Sequence, residues 1–400
     1  MTRPLATRLE VIEPSMTLRV TAKAGALRAR GVDVISFGAG EPDFDTPSHI
    51  KEAAKRALDA GATKYTPVEG TPELRAAVAK WFARAHGFPV DPKHVMVSAG
   101  AKQAIYNAFH TLLDQGDEIL LPAPYWVSYS EIAKLAGAKP VPVPSTAAEN
   151  FVVRPEAIAA AITPATRAIL LVSPCNPTGA VYDRATVQAI ADLVVKHDLW
   201  LITDDIYRSL CYGDARFVQP ATLGPEIRQR TVIVDGVSKA YAMTGWRIGF
   251  ALAPGNVIQG MATLQGQSTT NAAAVSQAAA LAALEGPTDD LERMRLEFDR
   301  RRRFMLASLR QMPGVTCVEP KGAFYCFPDV SSFTGKQTPQ GKIIDGDPAL
   351  CDYLIEVAKV AVVPGSAFHA PGYMRLAYAT SQSAIERGLQ RIGDALANLR

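Results

Sequence analysis

Short apolar runs alternate with helix-length segments through the middle of the chain. The apolar runs occupy residues 94–98, 118–122, 139–144, 168–173, 199–204, 231–236 and 248–253. One intervening segment has apolar residues at the spacing of a single helix face, namely Ile105, Ala108, Phe109, Leu112 and Leu113. Strands that are apolar throughout are typical of parallel sheets covered by helices on both faces. The pattern therefore predicts an α/β fold with a mostly parallel, seven-stranded sheet.

The pattern changes after about residue 290. A long charged helix is predicted over roughly 288–312, and shorter mixed elements follow it. The stretch 331–348 is rich in Gly, Pro and polar residues, as is typical of a surface loop. Because 400 residues are too many for one simple core, we expect two domains. A large domain should cover 48–290, and an N-terminal arm with a smaller α+β domain should cover 1–47 and 291–400.

Composition and charge narrow the classes of partner. The 42 basic and 39 acidic residues leave a net charge of +3, which is too small to indicate a nucleic-acid partner. The densest basic run, Arg300 to Arg303, lies among acidic residues on the predicted charged helix. We expect these four arginines to form a solvated helix face.

Cysteine usage and hydropathy bear on metal sites and location. The five cysteines show no C-x-x-C spacing, so the sequence indicates neither a zinc site nor a disulfide framework. No run of about 18 apolar residues predicts a membrane span, and residues 1–14 lack the apolar core of a secretory signal. We therefore expect a protein of the reducing cytoplasm, with no metal and no membrane partner.

Chemically useful residues follow the ends of four predicted strands. The four segments at the ends of these runs are Ala99 to Lys102, Pro174 to Gly179, Asp204 to Tyr207 and Val237 to Lys239. The carboxyl ends of parallel strands meet at one edge of a sheet, where ligands bind. We expect the four strands to be neighbours, which would bring a carboxylate, an amide, a lysine and a small-residue turn together.

Each of these groups has a structural explanation beside the functional one. The turn before residue 102 opens a helix whose free N–H groups suit a phosphate, and Arg247 suits the same anion. A plain strand–helix turn would explain the first feature equally well, and a structural ion pair would explain Arg247 equally well. Asp204 ends an apolar run and requires a cation, such as a protonated ring nitrogen, unless it caps a helix. Lys239 lies among small and apolar residues near Arg247, so a lowered pKa, suited to an amine nucleophile, is expected.

A phosphate site, a charged ring nitrogen and a lysine nucleophile together describe a site for pyridoxal 5'-phosphate (PLP). Such sites bind the cofactor through a Schiff base with a lysine and place an acid against its pyridinium nitrogen. The combination is far more specific than any one of its parts.

Eight motifs spread over nearly the whole chain carry a family resemblance. They are AGEPDFDTP (39–47), TKYTP (63–67), SAGAKQA (98–104), APYWVSY (123–129), NPTGAVY (176–182), DDIY (204–207), SKAYAMTGWRIG (238–249) and MRLAYATS (374–381). These motifs resemble those of the aspartate aminotransferase family, in particular its bacterial branch, within the class I and II aminotransferases. The resemblance implies PLP fold type I, with a large cofactor-binding domain and a small domain.

The resemblance implies which residues hold and activate PLP. Lys239 would form the Schiff base and shuttle the proton, Asp204 would keep the ring nitrogen protonated, and Tyr207 would bond the 3'-oxygen. These three are the expected catalytic residues. The other implied cofactor contacts are Asn176, Trp126, Gly100, Ala101, Lys102, Arg247 and Tyr65. Tyr65 would reach the phosphate from a neighbouring subunit, which implies a homodimer with shared active sites.

The resemblance also implies how amino acid and 2-oxo acid substrates bind. Arg375 would grip the α-carboxylate, with Gly40, Trp126 and Asn176 around the substrate. The positions that match a site for the distal carboxylate of aspartate or glutamate are Ser15, Thr17 and Lys102. The implied reaction is a ping-pong transfer of the amino group of L-aspartate to 2-oxoglutarate.

Other functions stay open at the level of sequence. A PLP aminotransferase that prefers aromatic or other amino acids, or a β-lyase, would share the fold and the Lys239 chemistry. Glu13 stands where prephenate-using relatives of this branch carry a basic residue, which argues against prephenate. A non-catalytic regulator would lack Lys239 or its partners. A nicotinamide dehydrogenase is disfavoured because Pro42 follows Gly38-Ala39-Gly40 and the third glycine of the dinucleotide motif is missing.

Overall fold

A computed structural model describes residues 5–400 as alternating strands and helices. The strands are β1 (Ile35–Ser36), β2 (Val95–Ser98), β3 (Glu118–Ala123), β4 (Lys139–Pro144), β5 (Thr166–Val172), β6 (Trp200–Asp204), β7 (Thr231–Gly236), β8 (Gly249–Leu252), β9 (Tyr325–Cys326), β10 (Val360–Ala361), β11 (Val363–Pro364) and β12 (Met374–Ala377). The α-helices are α1 (Met16–Ala29), α2 (Ser48–Asp59), α3 (Pro72–His86), α4 (Ala101–Leu112), α5 (Ser128–Leu135), α6 (Pro155–Ala161), α7 (Arg184–Lys196), α8 (Pro225–Arg228), α9 (Gly255–Ser268), α10 (Ala274–Glu285), α11 (Asp289–Arg310), α12 (Asp347–Tyr353) and α13 (Gln382–Ala397). Over the same residues, no helix has both the length and the apolar character that crossing a membrane requires.

Strands β2 to β8 form one seven-stranded sheet in the order β2-β8-β7-β6-β5-β3-β4. Five of these strands, from β7 to β4 in the sheet, are parallel to one another, whereas β8 is antiparallel to both β2 and β7. The seven apolar runs of the sequence are these seven strands, so the predicted fold class is confirmed.

The four strands whose ends carry the chemically useful residues were expected to be neighbours in the sheet, and this expectation is wrong in one respect. Strands β5, β6 and β7 are neighbours, but β8 lies between β7 and β2. Because β2 and β7 are both antiparallel to β8, they point the same way, and β2 still ends at the same edge of the sheet. Strand β8 runs in the opposite direction and therefore begins at this edge. Arg247, two residues before β8, thus lies beside the ends of the other strands.

Helices cover both faces of the sheet, which explains why its strands are apolar throughout. Along β5, Ala168 and Leu170 pack with α4, α5 and α9, whereas Ile169 and Leu171 pack on the opposite face with α6 and α7. The apolar face predicted for residues 105–113 lies in the first of these cores, with four of its five side chains buried and Leu112 partly buried. A third core, formed with α2, α3 and α10, extends the second face beneath β7, β8 and β2.

The chain after α10 builds a second region around the long helix α11. Its core joins α11, α12 and α13 to Ile35 and Phe37 of the N-terminal segment. Strand β1 pairs with β10, and β11, β12 and β9 form a separate three-stranded antiparallel sheet. Between 331 and 348 the chain is irregular apart from a short helical turn at Ser331–Phe333 and the start of α12. The division at residues 48 and 290 stays a prediction.

The basic run on α11 departs from the solvated face expected from the sequence. Arg301 and Arg302 are only 5% and 4% exposed. Arg301 pairs with Asp43, and Arg302 pairs with Glu319, each at 2.7 Å. Two of the four arginines therefore anchor α11 to distant segments, since their turn of the helix faces the protein instead of solvent.

Candidate active site

A cavity of about 300 Å³ opens at the edge of the sheet where β5, β6 and β7 end. The residues predicted for the site that line it are Thr17, Gly40, Ala101, Lys102, Trp126, Asn176, Asp204, Tyr207, Lys239, Arg247 and Arg375. Gly100 lies directly behind Ala101 as the N-cap of α4, and Ser15 is the N-cap of α1 behind Thr17. Tyr65 lies outside the cavity, with 89% of its surface exposed. The fold thus gathers residues from most of the chain into one place.

Lys239 follows β7 and points into the cavity. Its Nζ donates a hydrogen bond of 2.6 Å to the backbone oxygen of Gly40. The pKa of Lys239 is lowered to about 8, mainly by burial. The negative charges of Glu41 and Asp204 oppose this shift, and the nearby guanidinium groups add to it. The lowered pKa expected from the sequence is therefore confirmed, and burial is its main cause. At neutral to mildly alkaline pH this amine can change between its charged and nucleophilic forms.

Asp204, the last residue of β6, is a buried carboxylate that forms no ion pair within residues 5–400, and its hydrogen-bond donors there are neutral groups. The Tyr129 hydroxyl donates to Oδ2 at 2.7 Å, and the Ile206 backbone N–H donates to Oδ1 at 3.2 Å. Only 4% of Asp204 is exposed, and this burial raises its pKa. A buried carboxyl without an ion-pair partner suits a ligand that brings its own positive charge.

The N-terminus of α4 and Arg247 form an anion-binding corner of the cavity. The first N–H groups of a helix lack acceptors within that helix, and they attract anions. The Arg247 guanidinium donates to the backbone oxygens of Thr244 at 2.9 Å and Ala99 at 3.5 Å, and these are neutral acceptors. A Cβ on Gly100 would lie 2.5 Å from Nη2 of Arg247, and the φ of Gly100 is +91°. Glycine suits this position, because another residue would be strained at this φ and would displace the end of the Arg247 side chain.

Arg375 on β12 is a second cation in the cavity, and it is 1% exposed. It donates from Nη1 to Asn176 Oδ1 and from Nη2 to the backbone oxygen of Gly38, each at 2.8 Å. Its Nε has no hydrogen-bond partner among residues 5–400. Burial lowers the pKa of Arg375, and the Tyr325 ring lies 4.5 Å from the guanidinium carbon. A buried guanidinium held by neutral groups is suited to a carboxylate ligand.

Aromatic residues form the remaining walls. The hydroxyls of Tyr207 and Tyr325 share a hydrogen bond of 2.7 Å. Trp126 meets the Tyr129 ring edge to face, and the Lys102 ammonium lies 4.9 Å from the Trp126 ring centroid. Burial and the charge of Arg247 both lower the pKa of Lys102.

Near the N-terminal segment, two hydroxyls approach the same cavity. Thr17 lines the cavity, and its Oγ1 shares a hydrogen bond of 2.8 Å with the hydroxyl of Ser15. Ser15 therefore contacts the site through Thr17 and is not itself a lining residue.

Sequence reasoning missed several lining residues, among them Tyr129 and Tyr325. Tyr129 stands in the motif at 123–129, and Tyr325 stands in the apolar stretch at 322–330. The only signal in the sequence is the presence of a tyrosine in a run of mostly apolar residues. That signal does not reveal that the two hydroxyls bond Asp204 and Tyr207.

The donors and acceptors of this cavity fit PLP. The amine of Lys239 suits an aldehyde, and the Asp204 carboxyl suits a protonated ring nitrogen. The helix N-terminus with Arg247 suits a phosphate, which could approach closely because Gly100 has no side chain. Within residues 5–400, the hydrogen bonds of Lys239, Asp204 and Arg247 all go to neutral groups, so the charge of each is available to the cofactor.

Comparisons with known proteins agree with this site. Residues 32–392 match the family model for aminotransferases of class I and II. An aspartate aminotransferase of Geobacillus stearothermophilus is 46% identical over 97% of this chain and 98% of that protein. An aspartate/prephenate aminotransferase of Cereibacter sphaeroides is 46% identical over 97% of both chains. The crystal structure of the aspartate aminotransferase from Rhizobium meliloti superposes with a TM-score of 0.96, at 44% identity, over 100% of both chains.

Fold, cavity and similarity lead to one family. The match extends over nearly the full length of the relatives, so it includes both the sheet and the C-terminal region that supplies Arg375. The chain therefore belongs to the class I and II aminotransferases, the PLP-dependent family that includes the aspartate aminotransferases.

Proposed function

We propose that the protein transfers the amino group of L-aspartate to 2-oxoglutarate in two half-reactions, with PLP bound in the cavity. The observation that carries the proposal is that Lys239 and Arg375 line one cavity. The first is an amine of lowered pKa, and the second is a buried guanidinium whose hydrogen bonds go to neutral groups. The names of relatives at 46% identity support aspartate as the donor.

Three residues of the cavity would each perform one part of the reaction. When bound, PLP supplies an electron sink for the negative charge that forms at the α-carbon of the substrate. Asp204 would provide the fixed countercharge for a protonated ring nitrogen. Lys239 would accept the proton of the α-carbon and return it, and a pKa of about 8 allows its nitrogen to do both. Arg375 would hold the α-carboxylate, which fixes the orientation of the bond that breaks.

A second carboxylate on the substrate is the proposed partner of Lys102. Its ammonium rests against the Trp126 ring at 4.9 Å, and burial already disfavours its charge. A distal carboxylate would offset that cost, as an aromatic or small side chain would not. Thr17, held by Ser15, offers a hydroxyl in the same cavity. Aspartate and glutamate both carry the second carboxylate that this arrangement needs.

A half-reaction experiment tests the proposal. The purified protein is loaded with PLP, and single amino acids are added without any 2-oxo acid while the absorption of the cofactor is followed. Fast conversion with aspartate and glutamate, and slow conversion with phenylalanine and alanine, is the expected result. A preference for aromatic or small amino acids would keep the Lys239 chemistry but contradict the roles of Lys102, Thr17 and Ser15. Release of a keto acid without conversion of the cofactor would indicate a lyase.

We also propose a cytoplasmic homodimer in which Tyr65 completes the site of the partner subunit. The 89% exposure of this tyrosine is compatible with the idea, since its side chain is free to reach a neighbouring subunit. Mixing a Lys239→Ala variant with a Tyr65→Ala variant tests it. A mixed dimer would contain one site with both native residues, so activity should exceed that of either variant alone. No gain after mixing and subunit exchange would contradict shared sites.

A further inference from the structure

Tyr129 connects two walls of the cavity. It lies in the first turn of α5, and its hydroxyl donates to Oδ2 of Asp204 at 2.7 Å. Its ring meets that of Trp126 at a centroid distance of 5.3 Å and an angle of 86°. The side chain is 1% exposed, so its position is fixed by packing. The family resemblance assigned no role to this residue.

The environment of Asp204 shows what this hydrogen bond does. Within residues 5–400, the donors to its carboxylate are the Tyr129 hydroxyl at Oδ2 and the Ile206 N–H at Oδ1. Burial alone favours the neutral acid, and the hydrogen bond from Tyr129 favours the charged form. With both oxygens fixed by donors, the carboxylate cannot rotate without breaking a bond.

We propose that Tyr129 is a positioning residue that keeps the Asp204 carboxylate charged and correctly oriented toward the ring nitrogen of the cofactor. The proposal rests on the proposed function, because it requires PLP in this cavity. Tyr129 then acts on the cofactor through Asp204, and the same ring supports Trp126 from its edge. A tyrosine suits this position because its hydroxyl has one hydrogen to donate, and Asp204 accepts it.

The Tyr129→Phe variant tests this role, since it keeps the ring and removes the hydroxyl. The PLP dissociation constant of the apoenzyme should rise about tenfold, because hydrogen bonds to charged groups contribute strongly. The pH midpoint of the absorption change of the bound cofactor should also move upward. With a weaker countercharge at Asp204, the ring nitrogen carries less positive charge. The Lys239 nitrogen is then easier to protonate, because less positive charge lies near it. A purely structural role would leave this midpoint unchanged.

Two further variants separate the proposed role from a loss of stability. Tyr353→Phe removes a comparable buried hydroxyl, which donates to the Ala395 backbone oxygen at 3.1 Å outside the cavity, and it should leave both readouts unchanged. In an Asp204→Ala background, Tyr129→Phe should add little, since its route to the cofactor is already lost. Unchanged PLP affinity and midpoint in Tyr129→Phe, or an equal tenfold loss in the Asp204→Ala background, would overturn the proposal. Failure of the wild-type protein to bind PLP would instead refute the proposed function.

Discussion

The guanidinium of Arg375 donates to the side-chain oxygen of Asn176 at 2.8 Å, across 199 residues of sequence. Asn176 follows β5 in the large sheet, whereas Arg375 lies on β12 of the C-terminal region. The contact therefore ties the proposed holder of the substrate carboxylate to a residue proposed to contact the cofactor. Because Nε of Arg375 has no hydrogen-bond partner within residues 5–400, a bound carboxylate would complete its hydrogen bonding.

Replacing Arg375 by lysine should raise KM for every amino acid by a similar factor. Lysine keeps the charge but loses the planar fork, and with it at least one hydrogen bond to a charged group, so an increase of about 10- to 100-fold is expected. Steady-state kinetics with aspartate, glutamate and phenylalanine measure the effect. An increase restricted to one amino acid would contradict contact with the shared α-carboxylate.

The fold could be predicted from the sequence to a large extent, because each strand of the sheet is a continuous apolar run. The order of the strands could not, since pairing depends on contacts between distant segments. Nothing local in residues 249–252 indicates that β8 runs antiparallel between β7 and β2. The burial of Arg301 was unpredictable for the same reason, because its partner Asp43 lies 258 residues away in the chain.

The candidate site could be predicted where a residue type alone implies chemistry. A lysine among apolar residues, such as Lys239, indicates a site even before the fold is known. Tyr129 and Tyr325 gave no comparable signal, because a tyrosine in an apolar run is compatible with simple core packing. Their roles depend on where their hydroxyls point, and only the assembled cavity determines that.

The rate at which apoenzyme captures PLP should rise with pH through a midpoint of about 8. Burial lowers the pKa of Lys239 to about 8, so its nitrogen is mostly protonated at pH 7 and mostly neutral at pH 9. The neutral amine is the nucleophile, and the capture rate should follow its fraction. Stopped-flow absorption on mixing apoenzyme with PLP measures the rate, and Lys239→Ala should show no such phase. A midpoint near the ordinary lysine value of 10.5 would contradict the burial argument.

Glu41→Gln should move that midpoint to lower pH. The negative charge of Glu41 raises the pKa of Lys239 and is the largest influence that opposes burial. Its carboxylate accepts a hydrogen bond of 3.0 Å from Thr244, which glutamine can also accept. The substitution thus removes charge with little change of shape. A midpoint that stays in place would show that Glu41 does not act on the lysine.

Lys102→Ser should reduce activity with aspartate more than with phenylalanine. Removing the ammonium removes the proposed partner of the distal carboxylate, and a hydrogen-bonded ion pair of this kind corresponds to roughly a 10- to 100-fold change in kcat/KM. Phenylalanine has no such carboxylate and should be affected far less. Lys102→Arg, which keeps a positive charge, is the matched control and should retain most of the discrimination. Equal losses for both amino acids with Lys102→Ser would refute the role.

Gly100→Ala should weaken PLP binding far more than Gly61→Ala. Both glycines have positive φ, +91° and +82°, so alanine is strained at either position by a similar amount, about 1–2 kcal/mol. Only at Gly100 would the new methyl group meet Arg247, at 2.5 Å from Nη2, whereas nothing lies within 4 Å at Gly61. The guanidinium must then leave the anion-binding corner. Titration of the two apoenzymes with PLP measures the difference, and equal affinities would mean that Arg247 does not depend on this contact.

Arg208→Leu should destabilise the fold by about 3–5 kcal/mol, because it leaves a buried carboxylate unpaired. Arg208 bonds Asp235 at 2.5 Å, with the two side chains 14% and 2% exposed, and its guanidinium lies 4.0 Å from the Trp81 ring centroid. Asp205, which is 1% exposed and bonded to Gln219 at 2.6 Å, adds a second buried carboxyl nearby. Chemical denaturation of the wild-type and variant proteins measures the change.

The pH dependence of that loss identifies its electrostatic cause. Burial raises the pKa of Asp235 from 3.8 to about 6 even with Arg208 in place, and removal of the guanidinium raises it further. The folded variant then keeps a proton that the unfolded chain releases, so its stability falls as pH rises from about 4 through the folded pKa. The deficit relative to wild type should therefore be larger at pH 8 than at pH 5. Adding Asp235→Asn to Arg208→Leu removes the unpaired charge and should restore most of the loss. If the double variant stayed as unstable as Arg208→Leu and equally unstable at both pH values, lost packing against Trp81 would be the cause.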